Sequence, residues 1–323
     1  MAQVLSTPLT DLLGIRHPIL LAPMGDAAGG RLAAAVSDAG AFGLIGGGYG
    51  DPAWLARELE LAGDSRVGVG FITFALEGRP EALRLALDAR PPAIQLSFGD
   101  PRPHADAIHD AGALLICQAQ TTEEIDLAIA AGADVIVAQG RDAGGHGRPD
   151  RGTIALVPAV VDRVGPTPVV AAGGIADGRG LAAALVLGAS GVALGTRLLA
   201  SVEAISHPAE ADALVRGRGE DTVRTPAFDI IRGPAWPEGH DGRALHNDLI
   251  DAYERGEPVD DLRAAYRRAA PDDHSLRPMW AGEGLDMITG VEPAAQLVAA
   301  IARDAAAAIG AVRTTGGSGV VPL

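Results

Sequence analysis

The chain contains no lysine; all 26 of its basic residues are arginine. That absence excludes a lysine Schiff base and a lysine-anchored phosphate, so an anion held here rests on backbone N–H groups or on arginine. The single cysteine, Cys117, excludes an intrachain disulfide and a cysteine-based metal site. Within the apolar run 113–117 it reads as a core residue. Aromatic residues are scarce, at 3%. Positive charge is short relative to negative, and the net charge of −15 disfavours nucleic acid and anionic membranes as partners. No unbroken apolar stretch reaches the ~18 residues of a membrane span. The first eleven residues lack the basic and apolar regions of a signal peptide. The sequence reads as a cytoplasmic protein acting on a small-molecule substrate, and it leaves homo-oligomerisation open. HExxH, close His/Asp ligand sets and the GxSxG elbow are missing, so no catalytic metal and no serine nucleophile are expected.

What is present is apolar residues and glycine. Over 323 residues, 48% are hydrophobic and 43 are glycine, enough for one large core or a core with an appendage. From residue 19 to about 200 a unit recurs: a short apolar run, a Gly or Pro turn, then an Ala/Leu-rich amphipathic stretch. The runs at 19–22, 42–45, 67–71, 93–97, 113–117, 135–138, 168–171 and 191–194 read as strands buried on both faces. Helical patterns fall between them at 30–38, 52–61, 80–88, 103–110, 123–130, 155–163 and 178–187. Pro52 and Pro80 stand near helix starts, and Ala-Gly pairs at 39–40, 62–63, 111–112 and 131–132 close helices. Eight strands, each followed by a helix, predict a (β/α)8 TIM barrel. An open doubly wound sheet is the alternative, but its glycine fingerprint follows the first strand, whereas here the Gly-rich turns follow strands six, seven and eight.

The texture changes near Ser201. Residues 217–245 are rich in Gly, Arg, Asp and Pro, and helical patterns follow at 243–254, 260–269 and 291–308. The expected organisation is a barrel over 1–204, an added helical region over 205–290 above the mouth, a C-terminal helix at 291–312 packing back on the barrel, and a disordered tail at 313–323.

Three late turns carry candidate chemistry. The stretch QGRDAGGH at 139–146 follows strand six, at the end of a barrel where active sites lie. Its paired glycines admit close backbone approach, and His146 can donate a hydrogen bond or move a proton near neutral pH. The competing reading is a Gly-rich loop with an exposed histidine. After strands seven and eight, amides of Gly173, Gly174, Gly195 and Thr196 can ring an anion; ordinary tight turns are the plainer account. The turn Ala22-Pro23-Met24-Gly25 can line a flat ring. His17, His104, His109, His207 and His274 read as structural or surface residues. His240 and His246 lie in the added region, within reach of a mouth. Arg141 reads as solvated.

Together these residues resemble the nitronate monooxygenase family, formerly the 2-nitropropane dioxygenases, over about 18–203 and more loosely to the C-terminal helix. The shared pattern is Pro23-Met24, the QGRDAGGH stretch, AAGGIADGRG at 171–180, and LGTRLL at 194–199 with Glu203. The resemblance implies an FMN-binding TIM barrel that oxidises nitronates or nitroalkanes with O2. It further implies FMN contacts from Gln139, Gly144, Gly174, Ala193, Leu194, Gly195 and Thr196, backbone near Ala22 and Met24 beside the flavin ring, and His146 in the active site. Three positions depart from the family pattern: Asp142 replaces a Glu, Gly70 stands where many members have Asn, and the C-terminal Tyr- and Lys-containing elements are replaced by MWAGEGL at 279–285. Two rivals remain: an NAD(P)H-dependent quinone or enoyl-thioester reductase on the same fold, and a non-catalytic barrel binding a phosphorylated ligand.

Overall fold

The apolar runs form strands because each is covered from both sides. A computed structural model describes residues 5–233 and 236–314. Its strands, in chain order, are β1 (Ile19–Leu21), β2 (Leu44–Gly48), β3 (Gly68–Ile72), β4 (Ala93–Ser97), β5 (Leu114–Ala119), β6 (Val135–Gln139), β7 (Gly145–Gly147), β8 (Val169–Ala172), β9 (Gly191–Leu194), β10 (Thr222–Thr225) and β11 (Asp241–Leu245). Eight of them make one parallel sheet ordered β1-β9-β8-β6-β5-β4-β3-β2. Its edges meet: Leu21 N–H donates to the Phe42 carbonyl at 2.9 Å and Phe42 N–H to the Ile19 carbonyl at 3.0 Å. The expected (β/α)8 barrel is thus closed, and the open-sheet alternative falls.

Strand ends differ from expectation for local reasons. Pro168 has no N–H, so β8 begins at Val169, although the Pro168 carbonyl still accepts from Ile136 N–H at 3.0 Å. Strand β2 runs on through Gly46–Gly48, because a Cβ at Gly46 would lie 2.1 Å from the Met24 carbonyl oxygen and only glycine lets the turn after β1 pack there.

Side chains fill the barrel: Leu20, Phe42, Leu44, Ile116, Val135, Val137 and Val170 form its inner cluster. A helix not anticipated from the sequence, Pro8–Leu13, drives Leu9 and Leu13 into that cluster, both fully buried. The Thr7 hydroxyl, donating to the Ser190 carbonyl at 2.7 Å, ties this plug beside the start of β9. A second cluster between strands and surrounding helices includes Val36, Leu55, Ile108, Ile125, Val160 and Leu181.

Beyond residue 205 the chain builds a cap that is not purely helical. Strands β10 and β11 pair antiparallel, and β11 pairs with β7, placing Gly242 opposite His146. A helix over 243–254 was expected; instead Asp241–Leu245 is a strand with Gly242 and Ala244 buried, and the helix begins at Asp248 under an Asn247 cap whose Oδ1 accepts from Ile250 N–H at 3.1 Å. Phe228, Ile231, Leu249, Ile250 and Leu262 form the cap's own core. Leu214, Met279, Ala281 and Leu285 join it to Leu199 and Ala176 of the barrel.

The last helix, Ala294–Thr314, starts where Ala294 N–H donates to Glu203 at 2.9 Å. Its segment Ala294–Ala311 is long and apolar enough to cross a membrane by composition, with mean hydropathy 1.3. Here it packs on the helix Gly178–Val186, with Ala294, Val298 and Ala305 fully buried. A Cβ on Gly178 would lie 2.5 Å from Ala305 N, so this approach needs glycine. Most of the tail expected at 313–323 lies outside the described residues; Arg313 and Thr314 continue the helix backbone.

Candidate active site

The carboxyl ends of the barrel strands and the cap enclose a cavity of about 590 Å³, within the usual range for a small-molecule site. Ala22, Met24, Gln139, Gly144, Gly173, Gly174, Ala193, Gly195 and Thr196 all line it, and so does His146. Leu194 does not. Its side chain is fully buried between barrel and helices, and its backbone carbonyl accepts from Ala22 N–H at 3.0 Å.

One wall is built of backbone. Gly173 and Gly174 adopt φ of 113° and 67°, a turn that favours glycine. Among the described residues no acceptor is paired with the amide N–H of Gly174, Gly195 or Thr196. Neighbouring unclaimed amides make a seat for an anion. The 279–285 segment closes over them: Gly282 N–H donates to Thr196 Oγ1 at 3.1 Å, and a Cβ on Gly144 would lie 2.5 Å from the Ala281 carbonyl carbon. At Gly70 a Cβ would strike Pro23, 2.3 Å away, so in this chain proline fills the space an Asn side chain would need.

A polar ladder ends the strands on another wall. Ser97, Gln118 and Gln139 line the cavity at the ends of β4, β5 and β6. Gln95 Nε2 donates to Ser97 Oγ at 3.2 Å, Ser97 Oγ approaches Gln118 Oε1 at 3.4 Å, and Gln95 Oε1 is buried without a partner. Gln139 Nε2 donates to the His146 carbonyl at 2.8 Å, pinning β7. Ser97 and Gln118 were not singled out from sequence, although polar residues terminating apolar strands were a signal that could have found them.

The third wall belongs to the cap. His146 Nε2 lies 3.0 and 2.9 Å from the two carboxylate oxygens of Asp229, on the helix Ala227–Arg232. The imidazole stacks on Trp236 with centroids 3.5 Å apart and planes 2° from parallel, and Trp280 tilts against it at 5.0 Å. Burial pulls the His146 pKa below its ordinary 6.5; Asp229 opposes that shift, while Arg232 and Arg224 add to it. The Arg224 guanidinium, from β10, donates to the carbonyls of Arg141 and Gly147 at 2.9 Å, of Ala143 at 3.2 Å, and of Gly145 and Asp241. Burial lowers its pKa to about 10, which leaves it charged at neutral pH. Arg224 thereby fixes the His146 loop from the cap side. Arg141 itself is exposed and contributes its carbonyl. Asp142 is occupied within the loop, accepting from Thr153 N–H at 2.7 Å.

The scarce aromatics are concentrated here. Tyr49, Trp54, Phe71, Phe98, Trp236 and Trp280 line the cavity, and Phe74 and Phe228 pack against its tryptophans, making eight of the chain's eleven aromatic residues. The other histidines lie off the cavity wall. His240 sits 3.4 Å from Glu124 and edge-on to Phe98. His246, Asp251 and Glu254 form a cluster within metal-ligand reach on the outside of the cap. Cys117 is buried, its thiol pushed up to about 12 by desolvation. Asp229, Trp236 and Arg224 were invisible to local sequence reasoning, since no motif surrounds them.

Residues 6–63 and 72–304 match the family model for nitronate monooxygenase. The chain is 33% identical to the nitronate monooxygenase of Neurospora crassa over 338 residues, covering 90% of this chain and 89% of that relative. Among solved structures, FabK from Thermotoga maritima superimposes with a TM-score of 0.84 at 31% identity, over 96% of this chain and 99% of the other. Nitroalkane oxidase from Streptomyces ansochromogenes gives 0.79 at 30% identity, over 94% and 99%. Because the matched segments carry the amide seat, the His146 loop and the cap helix that meets it, the chain belongs to the nitronate monooxygenase family of flavin-dependent oxidoreductases.

Proposed function

We propose that the cavity binds FMN and that the protein oxidises alkyl nitronates, or nitroalkanes after loss of their α-proton, to a carbonyl compound and nitrite with O2 as oxidant. The flavin supplies the electron-accepting ring; the protein binds, orients and polarises. The residues fit that group. Gly174, Gly195 and Thr196 offer three unclaimed amides for a phosphate in a chain without lysine. Ser97, Gln118 and Gln139 offer polar edges to a heterocycle. His146 accepts the α-proton of a neutral substrate and, once protonated, hydrogen-bonds the nitro oxygens. Trp236 and Trp280 keep water from the imidazole, which strengthens its electrostatic contacts. The observation that carries the reading is that His146 and the three free amides share one cavity.

The test is an absorption spectrum of the purified protein followed by anaerobic mixing with a nitronate and, separately, with NADH. Flavin absorbance bleached by the nitronate is the expected result. Rapid bleaching by NADH with none by nitronate moves the assignment to NAD(P)H-dependent reduction of a quinone or enoyl thioester, a reading supported by the likeness to FabK. A colourless protein that FMN does not reconstitute leaves only a non-catalytic phosphate-ligand barrel.

A further inference from the structure

The two nitrogens of His146 have different surroundings. Nε2 meets both oxygens of Asp229 at 2.9–3.0 Å, with side chains only 10% and 9% exposed. Nδ1 has no hydrogen-bond partner among the described residues, and the ring lines the cavity. An ionised carboxylate accepts and does not donate, so a pair this short places a hydrogen on Nε2. When the imidazole is neutral, its lone pair is then on Nδ1.

We propose that Asp229 is a positioning residue that holds His146 as the Nε2–H tautomer, leaving Nδ1 as the base available to substrate in the cavity. This rests on the reading of the cavity as a nitronate- or nitroalkane-oxidising site. The proton step balances simply. The α-C–H bond of a neutral nitroalkane breaks, its proton passes to Nδ1, and the electron pair stays with the substrate as the nitronate. The Asp229 carboxylate accepts from Nε2–H and stabilises the imidazolium that forms.

Ring rotation would exchange the two nitrogens, and the packing opposes it. Trp236 lies parallel to the imidazole at 3.5 Å. Trp236 is held in turn by its Nε1–H donating to Tyr49 Oη at 2.9 Å and by edge contacts with Phe74 and Phe98 at 5.2 and 5.0 Å. The backbone below is tied by Gln139 and Arg224. Three charged groups act on the ring: Asp229 and Arg232 on the cap helix and Arg224 on β10; Tyr49 bonds to Trp236 on the far side of the stack. Asp229 alone among them favours protonation. Burial keeps His146 below its ordinary pKa and so uncharged at neutral pH, and the Asp229 bond limits that depression.

The test pairs a spectroscopic readout with kinetics. In the wild-type protein, 15N–1H NMR of the His146 ring, assigned by its loss in His146→Ala, should show the Nε2–H tautomer. In Asp229→Asn, which preserves shape, the ring should titrate at lower pH because the carboxylate's attraction is gone. Turnover of a neutral nitroalkane should fall on the order of 100-fold, while turnover of the preformed nitronate, which needs no base, is largely retained. An Nδ1–H tautomer in the wild type, an unchanged titration in the variant, or equal losses on both substrates each overturns the proposal. If the wild type oxidises neither substrate, it is the functional reading that fails, and the tautomer and titration still decide the role of Asp229.

Discussion

Barrel and cap shape the same cavity by opposite means. The barrel presents backbone. Its strands bury apolar side chains on both faces, and what it turns toward the ligand is the amides of Gly174, Gly195 and Thr196 together with a few polar strand ends. The cap presents side chains. It brings Asp229 to His146, stacks Trp236 on the same ring, and threads a half-buried guanidinium among five carbonyls. The difference teaches where each part is vulnerable: the barrel half of the site depends on the lack of a Cβ, the cap half on charge and shape.

The sharpest way to break this division is His146→Ala. Turnover of a neutral nitroalkane should drop by roughly 10²–10⁴-fold with flavin absorbance unchanged, as read by steady-state kinetics beside the spectrum. Loss of the flavin in that variant would show that the two halves are not separable.

Next in size is Arg224→Met. It leaves five carbonyls without their cation, and urea denaturation should show a loss of about 2–3 kcal/mol. That loss should centre on the cap, so the amides of the barrel helices should keep their hydrogen-exchange protection while those near His146 lose theirs. Uniform loss across both would mean cap and barrel unfold as one unit.

Gly174→Ala addresses the barrel half. The residue has φ +67°, and its new Cβ would stand 3.2 Å from Asp142 Cβ. A side chain in this region costs about 1–2 kcal/mol, so flavin affinity, measured by fluorescence titration, should weaken about tenfold while cap stability holds. Unaltered affinity would remove these amides from phosphate binding.

A smaller effect concerns pH. Because burial holds the His146 pKa below 6.5, the acid limb of kcat/KM for a neutral substrate should fall below pH 6.5. The stability sign follows from the same shift. As pH falls through about 6.5 the unfolded chain takes up a proton that the folded one refuses, so stability declines from there until the folded pKa is reached. Urea midpoints at several pH values check the sign; a rise in stability on acidification would contradict the buried neutral imidazole. The smallest expected change is at Cys117. With its thiol pushed up to about 12 it should resist a thiol reagent in the native protein at pH 8 and react fully in denaturant.

Much of the barrel was legible because its causes are local. A parallel strand covered on both faces must be an apolar run, and a helix that ends in the left-handed region must end at glycine, so 19–22 through 191–194 declared themselves in order. Where reading and structure parted, a neighbour in space decided: the Met24 carbonyl required glycine at position 46 of β2, and Leu9 and Leu13 found a barrel end to fill. The stretch 217–245 has no period of 2 or 3.6 to betray β10 and β11, because each is fixed by its partner strand.

The sequence by itself determined the barrel, the amide seat and the presence of a histidine above it, since strand burial and glycine turns are set within a few residues. Only the tertiary structure decided what faces that histidine. Asp229 lies 83 positions away, and a carboxylate acts on an imidazole only at hydrogen-bond distance, which chain position alone does not supply.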